Sequence, residues 1–528
     1  MHDRPAQDRR TRFTLPRCLA AAGLAAFLAA PAAGADWREK VDPWVLERVG
    51  AAAAREGGEA AGGEAEFLVF LAEQADLSAA RGLPGKAAKG RFVFERLTEV
   101  AARTQRPLLD ELAARRLPHR PYWIANMIWV RGDLGAVQAM AGRADVARVL
   151  ANPWVAAALP VPEEEAALVP AAIEWGVDRV GAPLLWAEGI TGQGAVVAGQ
   201  DTGYDWDHPA LVGKYRGWNG ATADHDFNWH DAIHVANSDC PADSPEPCDD
   251  HGHGTHTMGT MTGDDGGANQ IGVAPGARWI GCRNMNDGNG TPATYSECFQ
   301  FFLAPTEVGG ANPDPAMAPD VINNSWGCPP SEGCSATALQ TVVENTRAAG
   351  IVVVASAGNS GTACSSVADP PAIYDASFSV GATAITDLIA NLSSRGPVTA
   401  DGSGRLKPDV AAPGINVRSS FRNGTYGPAS GTSMAGPHVA GLVALLLAAA
   451  PGLAGQVDAI EECLRQTAVP SSNTQTCGGI PAGDVPNNVF GHGRARLVWP
   501  LPPACAAGDL FADGFESGDT SAWTATEP

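Results

Sequence analysis

Four short stretches carry side chains whose type and surroundings suit chemistry. The first is Gly431-Thr432-Ser433-Met434-Ala435-Gly436-Pro437-His438, a serine among small residues ahead of the apolar run Val439 to Ala450, broken only by Gly441. A run that is apolar on every side reads as a helix buried all round. Pro437 cannot donate a mid-helix hydrogen bond, which places Ser433 at or just before the helix N-terminal edge. Free backbone N–H groups and the positive end of the helix dipole would there stabilise an oxyanion; the plainer role for Ser433 is a helix cap. The second stretch is Gln200-Asp201-Thr202-Gly203. Asp201 follows a short apolar strand, where a carboxylate can orient a histidine, hold a metal or simply make a turn. The third, His251-Gly252-His253-Gly254-Thr255-His256, is either an H-x-H-x-x-H metal set or one reactive imidazole between structural neighbours. The fourth ends the strand Ile351 to Val354 with Ala355-Ser356-Ala357-Gly358-Asn359. The Asn359 amide is a donor for a developing oxyanion, worth about 10²–10³ in turnover, unless it only makes a Gly-Asn turn.

In chain order these are Asp, His, Asn and Ser. A serine hydroxyl is a poor nucleophile until an imidazole takes its proton, and the imidazole needs a carboxylate to fix its tautomer and stabilise its cation. Two rival assignments use the same residues. An esterase of the α/β-hydrolase type would pair Ser433 with Asp484 and His492, leaving Asp201 and His253 without a task. A zinc hydrolase would use His251, His253 and His256. Against it, the segment runs into a helix through Met258 and Met261, and no Asp stands two residues after His253.

The elements that must position these groups follow from patterning. Short apolar strands at 195–198, 279–280, 321–322 and 351–354 alternate with helical stretches such as 336–349, which predicts a parallel sheet covered on both faces. Functional residues then gather at the carboxyl ends of the strands. Ahead of this unit, residues 36–65 read as a loose lead-in. A strand at 67–71, a helix over about 90–116, a strand at 122–130, a helix from Asp133 and a strand at 146–149 predict a small split sheet with helices on one face. The segment 159–172, with prolines flanking Glu163-Glu164-Glu165, reads as an exposed linker.

Bulk properties bound the rest. The chain has 528 residues and a formal net charge of -22, with no basic stripe, so nucleic acid is not an expected partner. Arg9, Arg10, Arg12 and Arg17 precede the apolar segment 19–30 and the small residues Ala33-Gly34-Ala35, the pattern of a secretory signal peptide over 1–35. Export predicts a secreted protein with no transmembrane anchor, and oxidised cysteines. Cys240 with Cys248, Cys282 with Cys298 and Cys328 with Cys334 suggest local staples, while the partners of Cys364, Cys463, Cys477 and Cys505 stay open. The tail 499–528, acidic and Pro-rich at its start, reads as disordered or a sorting tag.

With these residues in view, the sequence resembles the subtilisin-like serine peptidases. The resemblance rests on Asp201-Thr202-Gly203, His253-Gly254-Thr255-His256, Ser325-Trp326-Gly327, Ala357-Gly358-Asn359, Ser394-Arg395-Gly396-Pro397, Lys407-Pro408-Asp409 and Gly431-Thr432-Ser433-Met434-Ala435. Asp, His, Ser is the known chain order of subtilisin, so the order is matched here and not deduced. The wording around Asp201 and Asn323-Asn324-Ser325-Trp326-Gly327-Cys328 is similar to the bacillopeptidase F-like secreted members. The resemblance implies an α/β three-layer peptidase domain over 173–498 with a central, mostly parallel sheet. It implies a small ferredoxin-like α+β propeptide over 66–157 acting as intramolecular inhibitor, with processing within 158–172. It implies a monomer acting on protein and peptide substrates, with Ser433 as nucleophile, His253 as base then acid, Asp201 as orienter and Asn359 in the oxyanion hole. Ser325, Trp326 and Gly327 match one wall of the first specificity pocket, and Ala355, Ser356, Ala357 and Gly358 the other. Asp369 falls near the pocket floor, where a carboxylate would favour Lys or Arg, and His438 is read as core. No cofactor is required. Calcium is an open possibility, but its usual ligand position is Ala210, and Asp264 and Asp265 read rather as a solvated turn.

Overall fold

A computed structural model of the chain describes residues 36–55, 63–157 and 173–505. The expected signal peptide, the linker and processing region, and the C-terminal tail from residue 506 onward lie outside the described residues.

The N-terminal unit contains α1 (Pro43–Arg55), β1 (Ala65–Leu71), α2 (Gly85–Thr104), α3 (Arg106–Ala114), β2 (His119–Tyr122), β3 (Met127–Gly132), α4 (Leu134–Ala141) and β4 (Val146–Ala151). Its strands form one antiparallel sheet in the order β2-β3-β1-β4. From β1 onward this is the split ferredoxin-like arrangement, with Asp133 capping α4 by accepting the Ala136 N–H at 2.9 Å.

Three expectations need correction. Residues 36–55 of the expected lead-in are ordered as helix α1 and the turn before it, because Val41, Val45 and Val49, one helical turn apart, bury against the sheet; residues 56–62 lie outside the described residues. The single helix expected over 90–116 breaks at Gln105, whose amide reaches the Tyr122 carbonyl at 3.0 Å, and Pro107 opens α3. The strand expected at 122–130 is a hairpin. Asn126 takes φ 42° and its amide donates to the Glu73 carbonyl, so the chain reverses inside an apolar run that periodicity alone reads as continuous.

The N-terminal unit is followed by the two-residue strand β5 (Val155–Ala156), and the larger unit begins with the short helices α5 (Trp175–Arg179) and α6 (Ala182–Trp186). It continues with β6 (Val196–Asp201), β7 (Trp229–Asp231), α7 (His253–Thr262), β8 (Arg278–Arg283), β9 (Met285–Asn286), β10 (Asn289–Gly290), α8 (Pro292–Leu303), β11 (Val321–Asn324), α9 (Gln340–Ala348) and β12 (Val352–Ser356). It closes with β13 (Phe378–Thr383), β14 (Val410–Pro413), the hairpin β15 (Val417–Phe421) and β16 (Thr425–Ala429), α10 (Thr432–Ala449) and α11 (Val457–Thr467). Seven strands form a parallel sheet in the order β14-β13-β12-β11-β6-β8-β7.

Period-two alternation divides the core between the two faces of this sheet. Val197, Val321, Val352 and Val354 pack with Val439, Leu442 and Val443 of α10. Ala198, Ile322 and Val353 pack with Phe299 and Phe302 of α8 and Val342 of α9, and Leu68, Phe70 and Ile124 of the N-terminal unit extend that second core. Helix α10 is long and apolar enough to cross a bilayer, but 89% of its window is buried inside the protein, which makes it the core helix expected after Ser433.

The three local disulfides form as expected, and the open cysteines pair as Cys364–Cys477 and Cys463–Cys505. The last bond carries the ordered unit past the expected boundary at residue 498.

Candidate active site

Asp201 is the last residue of β6 and His253 the first of α7, and both side chains are 1% exposed. The Asp201 Oδ1 lies 2.7 Å from His253 Nδ1 and also accepts the Thr202 N–H at 2.8 Å. Bonding Nδ1–H to a carboxylate leaves Nε2 as the basic nitrogen, and Nε2 is buried with no hydrogen-bond partner among the described residues. Helix α7 approaches the strand end so closely that a Cβ on Gly254 would run into the Gly203 carbonyl and the Asp201 Cβ.

A residue that sequence reasoning missed sets the head of α7. Asp249 Oδ1 accepts the N–H groups of His251 and Gly252, its Oδ2 accepts from the N–H and hydroxyl of Thr255, and the Thr202 hydroxyl donates to Oδ1 at 2.8 Å. Thr202 Oγ1 in turn accepts the Gly254 N–H. One carboxylate thus satisfies the orphan donors of the helix start and ties it to the strand bearing Asp201. Its signal was present as an acid just ahead of a helix start.

Ser433 is the second residue of α10, so the helix begins before Pro437 and not after it. Pro437 has no N–H to give the Ser433 carbonyl, and the Ser325 hydroxyl supplies the missing donor at 2.9 Å. The Ser356 hydroxyl donates to the neighbouring Thr432 carbonyl at 2.9 Å, and the Ser325 and Ser356 hydroxyl oxygens lie 3.5 Å apart. The two expected pocket walls, Ser325-Trp326-Gly327 after β11 and Ala355 to Gly358 at the end of β12, therefore meet beneath the helix head. The Ser433 hydroxyl donates to the Ser325 carbonyl at 3.2 Å in this state. Asn359 accepts the Thr432 N–H and hydroxyl, each at 2.9 Å. Since a backbone N–H can only donate, the accepting atom is the amide oxygen, which leaves the Asn359 N–H₂ as the group available to a ligand.

Trp326 is buried, with its indole N–H on the Gln200 carbonyl and its ring stacked on Tyr295 at 3.8 Å. Asp369 sits against Gly327, where an added Cβ would lie 3.6 Å from its Oδ2. Among the described residues no ion pair reaches Asp369; burial, then the nearby Glu332 charge, pushes its carboxyl above the usual range.

The rival sets do not converge. His251 is exposed, His253 is spent on Asp201, and His256 Nε2 lies 3.0 Å from the Val417 carbonyl. Burial lowers His256 to about 3, so it is neutral in the core. Among the described residues no group of three or more His, Cys, Asp and Glu side chains is arranged to hold a metal ion. Asp484 sits in an exposed loop, while His492 neighbours Arg465 and Asp409. His438 is buried on the Met434 carbonyl and lowered to about 4 by burial, as a core histidine should be. The residues present do not fit the family's calcium site either. Ala210 has no ligand atom beyond its backbone, and Asp264 and Asp265 accept the turn N–H groups of Gly266, Gly267 and Asn269.

A buried carboxylate–imidazole pair, a serine at a helix head and an oriented amide, all at the carboxyl edge of a parallel sheet, are the parts of a serine-hydrolase centre on a three-layer α/β fold. The chain belongs to the subtilase family, whose profile matches residues 192–493. It is 43% identical over 330 residues to Bacillopeptidase F of Bacillus subtilis (strain 168), covering 61% of this chain and 21% of that protein. It is 34% identical over 280 residues to Subtilisin E of the same strain, covering 53% of this chain and 62% of the relative. Subtilisin of Bacillus pumilus is also 34% identical over 280 residues, covering 53% of this chain and 86% of the relative. The chain thus spans about a fifth of the first of these relatives and under two thirds of the second.

Proposed function

We propose that this protein is a secreted serine endopeptidase that hydrolyses peptide bonds in proteins and is self-processed from a proenzyme. What supports this most is the buried Asp201–His253 pair, its Nε2 without a partner among the described residues, at the start of a helix that packs against the helix carrying Ser433. Ser433 Oγ attacks the scissile carbonyl carbon as His253 Nε2 takes its proton, and Asp201 stabilises the resulting imidazolium. The Asn359 N–H₂ and the Ser433 backbone N–H take the oxyanion charge. His253 then gives its proton to the leaving amine, and water cleaves the acyl-Ser433 ester by the same steps in reverse order. No metal or cofactor enters any step.

Two further parts of the reading concern what is cut. Residues 155–157 pair with β10 as an extended segment beside the expected pocket walls, which supports the N-terminal unit as an intramolecular inhibitor that occupies the cleft until cleavage within 158–172. Asp369, half-buried against Gly327 without a cationic partner among the described residues, supports a preference for Lys or Arg before the scissile bond. The mature enzyme is proposed to act as a monomer.

A fluorophosphonate probe tests the nucleophile. Wild type should gain one adduct on Ser433 and Ser433→Ala none. Labelling that survives in the variant would move the nucleophile elsewhere, and activity lost to a chelator without labelling would favour the histidine cluster. For Asp369, cleavage of Arg, Leu and Phe peptides is compared, and a strong Phe preference would sink that part.

A further inference from the structure

The segment entering the cleft is satisfied by backbone on only one of its edges. Val155 pairs with Gly290 and Ala156 with Asn289, and the Ala157 N–H donates to the Gly288 carbonyl at 2.9 Å. Successive N–H groups of an extended chain point to opposite edges, so the Ala156 N–H faces away from β10. It meets no strand there. It donates instead to Oε2 of Glu332 at 2.8 Å.

Glu332 stands on a short, stiff loop. Cys328 and Cys334 close it with a disulfide, Pro329 and Pro330 fix its backbone, and residues Pro330–Glu332 form one 3₁₀ turn. The loop starts directly after the wall segment Ser325–Gly327, and its Cys328 N–H is tied to the Pro370 carbonyl beside Asp369. Glu332 thus stands on the loop that continues the wall segment and bonds the chain lying in the cleft, and beside burial its charge raises the Asp369 carboxyl.

We propose that Glu332 is a substrate-binding residue whose carboxylate accepts a backbone N–H of the peptide substrate at the place Ala156 occupies. Every substrate long enough to reach that place is then held by β10 on one edge and by a side-chain carboxylate on the other. The recognised group is an N–H, so the contribution does not depend on the side chain at that position. It depends on peptide length. A charged acceptor forms a stronger bond than a carbonyl would, and the closed loop presents it with little ordering cost. The proposal rests on the peptidase reading above.

The test is an ester scan. Peptides carrying an ester in place of the amide at the second, third or fourth residue before the scissile bond lose one N–H each while keeping their shape. They are compared in the wild-type enzyme, Glu332→Gln and Glu332→Ala. In wild type one ester position should lower kcat/KM by about tenfold, mostly through KM, and the same ester should cost Glu332→Ala nothing. Glu332→Gln keeps an acceptor without the charge and should lose about threefold on the all-amide peptide. Equal ester costs in wild type and Glu332→Ala at every position would overturn the proposal. A wild type that cleaves no peptide would instead overturn the peptidase reading. Hydrogen exchange in the full-length Ser433→Ala chain reads the contact without turnover. Adding Glu332→Ala should speed exchange at Ala156 and leave Ala157 unchanged, whereas equal rates at Ala156 with and without Glu332 would again sink the idea.

Discussion

The two faces of the central sheet are covered in different ways. On one face α10 is buried all round, and the polar atoms near it are answered from within the same unit: Ser325 and Ser356 hold the carbonyls of Ser433 and Thr432, and Asp249 holds the head of α7. On the other face α8 and α9 turn polar side chains toward the N-terminal unit. Glu297 accepts from the Tyr122 hydroxyl at 2.8 Å and Arg120 at 3.3 Å, and Gln300 accepts the N–H groups of Trp123 and Ile124. The Asn345 amide reaches the Ile124 carbonyl, and Lys86 pairs with Asp320. The catalytic candidates thus make none of these bonds to the N-terminal unit, whereas the interface combines the apolar contacts of Leu68, Phe70 and Ile124 with polar groups that water can satisfy once exposed. One face is closed within the larger unit, and the other is shared with the N-terminal unit.

The largest effects should come from breaking the face closed within the larger unit. Ser433→Ala and Asp201→Asn should each lower kcat for peptide hydrolysis by at least about 10⁴-fold with the fold intact by circular dichroism. Next, Asn359→Ala should lower kcat by about 10²–10³ with little change in KM, since it acts on charge that develops only in the transition state. On the other face, Tyr122→Phe removes a bond to a buried carboxylate. It should speed release of the N-terminal unit from the cleaved enzyme by about tenfold, read as a shorter lag in activity.

Smaller still is the pH response of the Glu297 cluster. His234 has Asp243 on Nδ1 at 2.5 Å and Glu297 on Nε2 at 3.3 Å, so it bonds both as an imidazolium. Burial opposes that charge, but the two carboxylates outweigh it and raise His234 above the usual imidazole value of 6.5. A raised value means stabilisation that is full below the unfolded value and is lost as pH climbs through the folded one. From about pH 6 to about pH 9, wild type should lose about 1–3 °C more Tm than His234→Gln, a small effect because the side chain is 28% exposed. Arg106→Ala, which removes an exposed pair with Asp110, should shift stability by less than about 0.5 kcal/mol in a denaturant titration.

The same contrast governs what could be read from the sequence. The placement of Asp201, His253, Ser433 and Asn359 was legible because each lies at or just past its own strand end or helix start. Helix α10 was legible because an apolar run of that length has no other use. Strand β13, with Ser379 and Gly381 in its middle, carries too weak an apolar pattern to be read alone, and it exists because β12 and β14 flank it. The turn at Asn126 is hidden in an apolar run, since its cause is a contact with Glu73 far back in the chain. The pairing of Cys364 with Cys477 spans 113 residues and follows only from the fold. Glu332 escaped for the same reason, as its partner Ala156 is 176 positions away.

If Ser433 is the nucleophile, the chain itself should be its first substrate. Intact-mass measurement with N-terminal sequencing, on freshly purified wild type beside Ser433→Ala, tests both at once. Wild type should be cut within residues 158–172 and shorn of its N-terminal unit, with the variant full length from the same start. Identical cleavage in both proteins, or none in an otherwise active wild type, would contradict it.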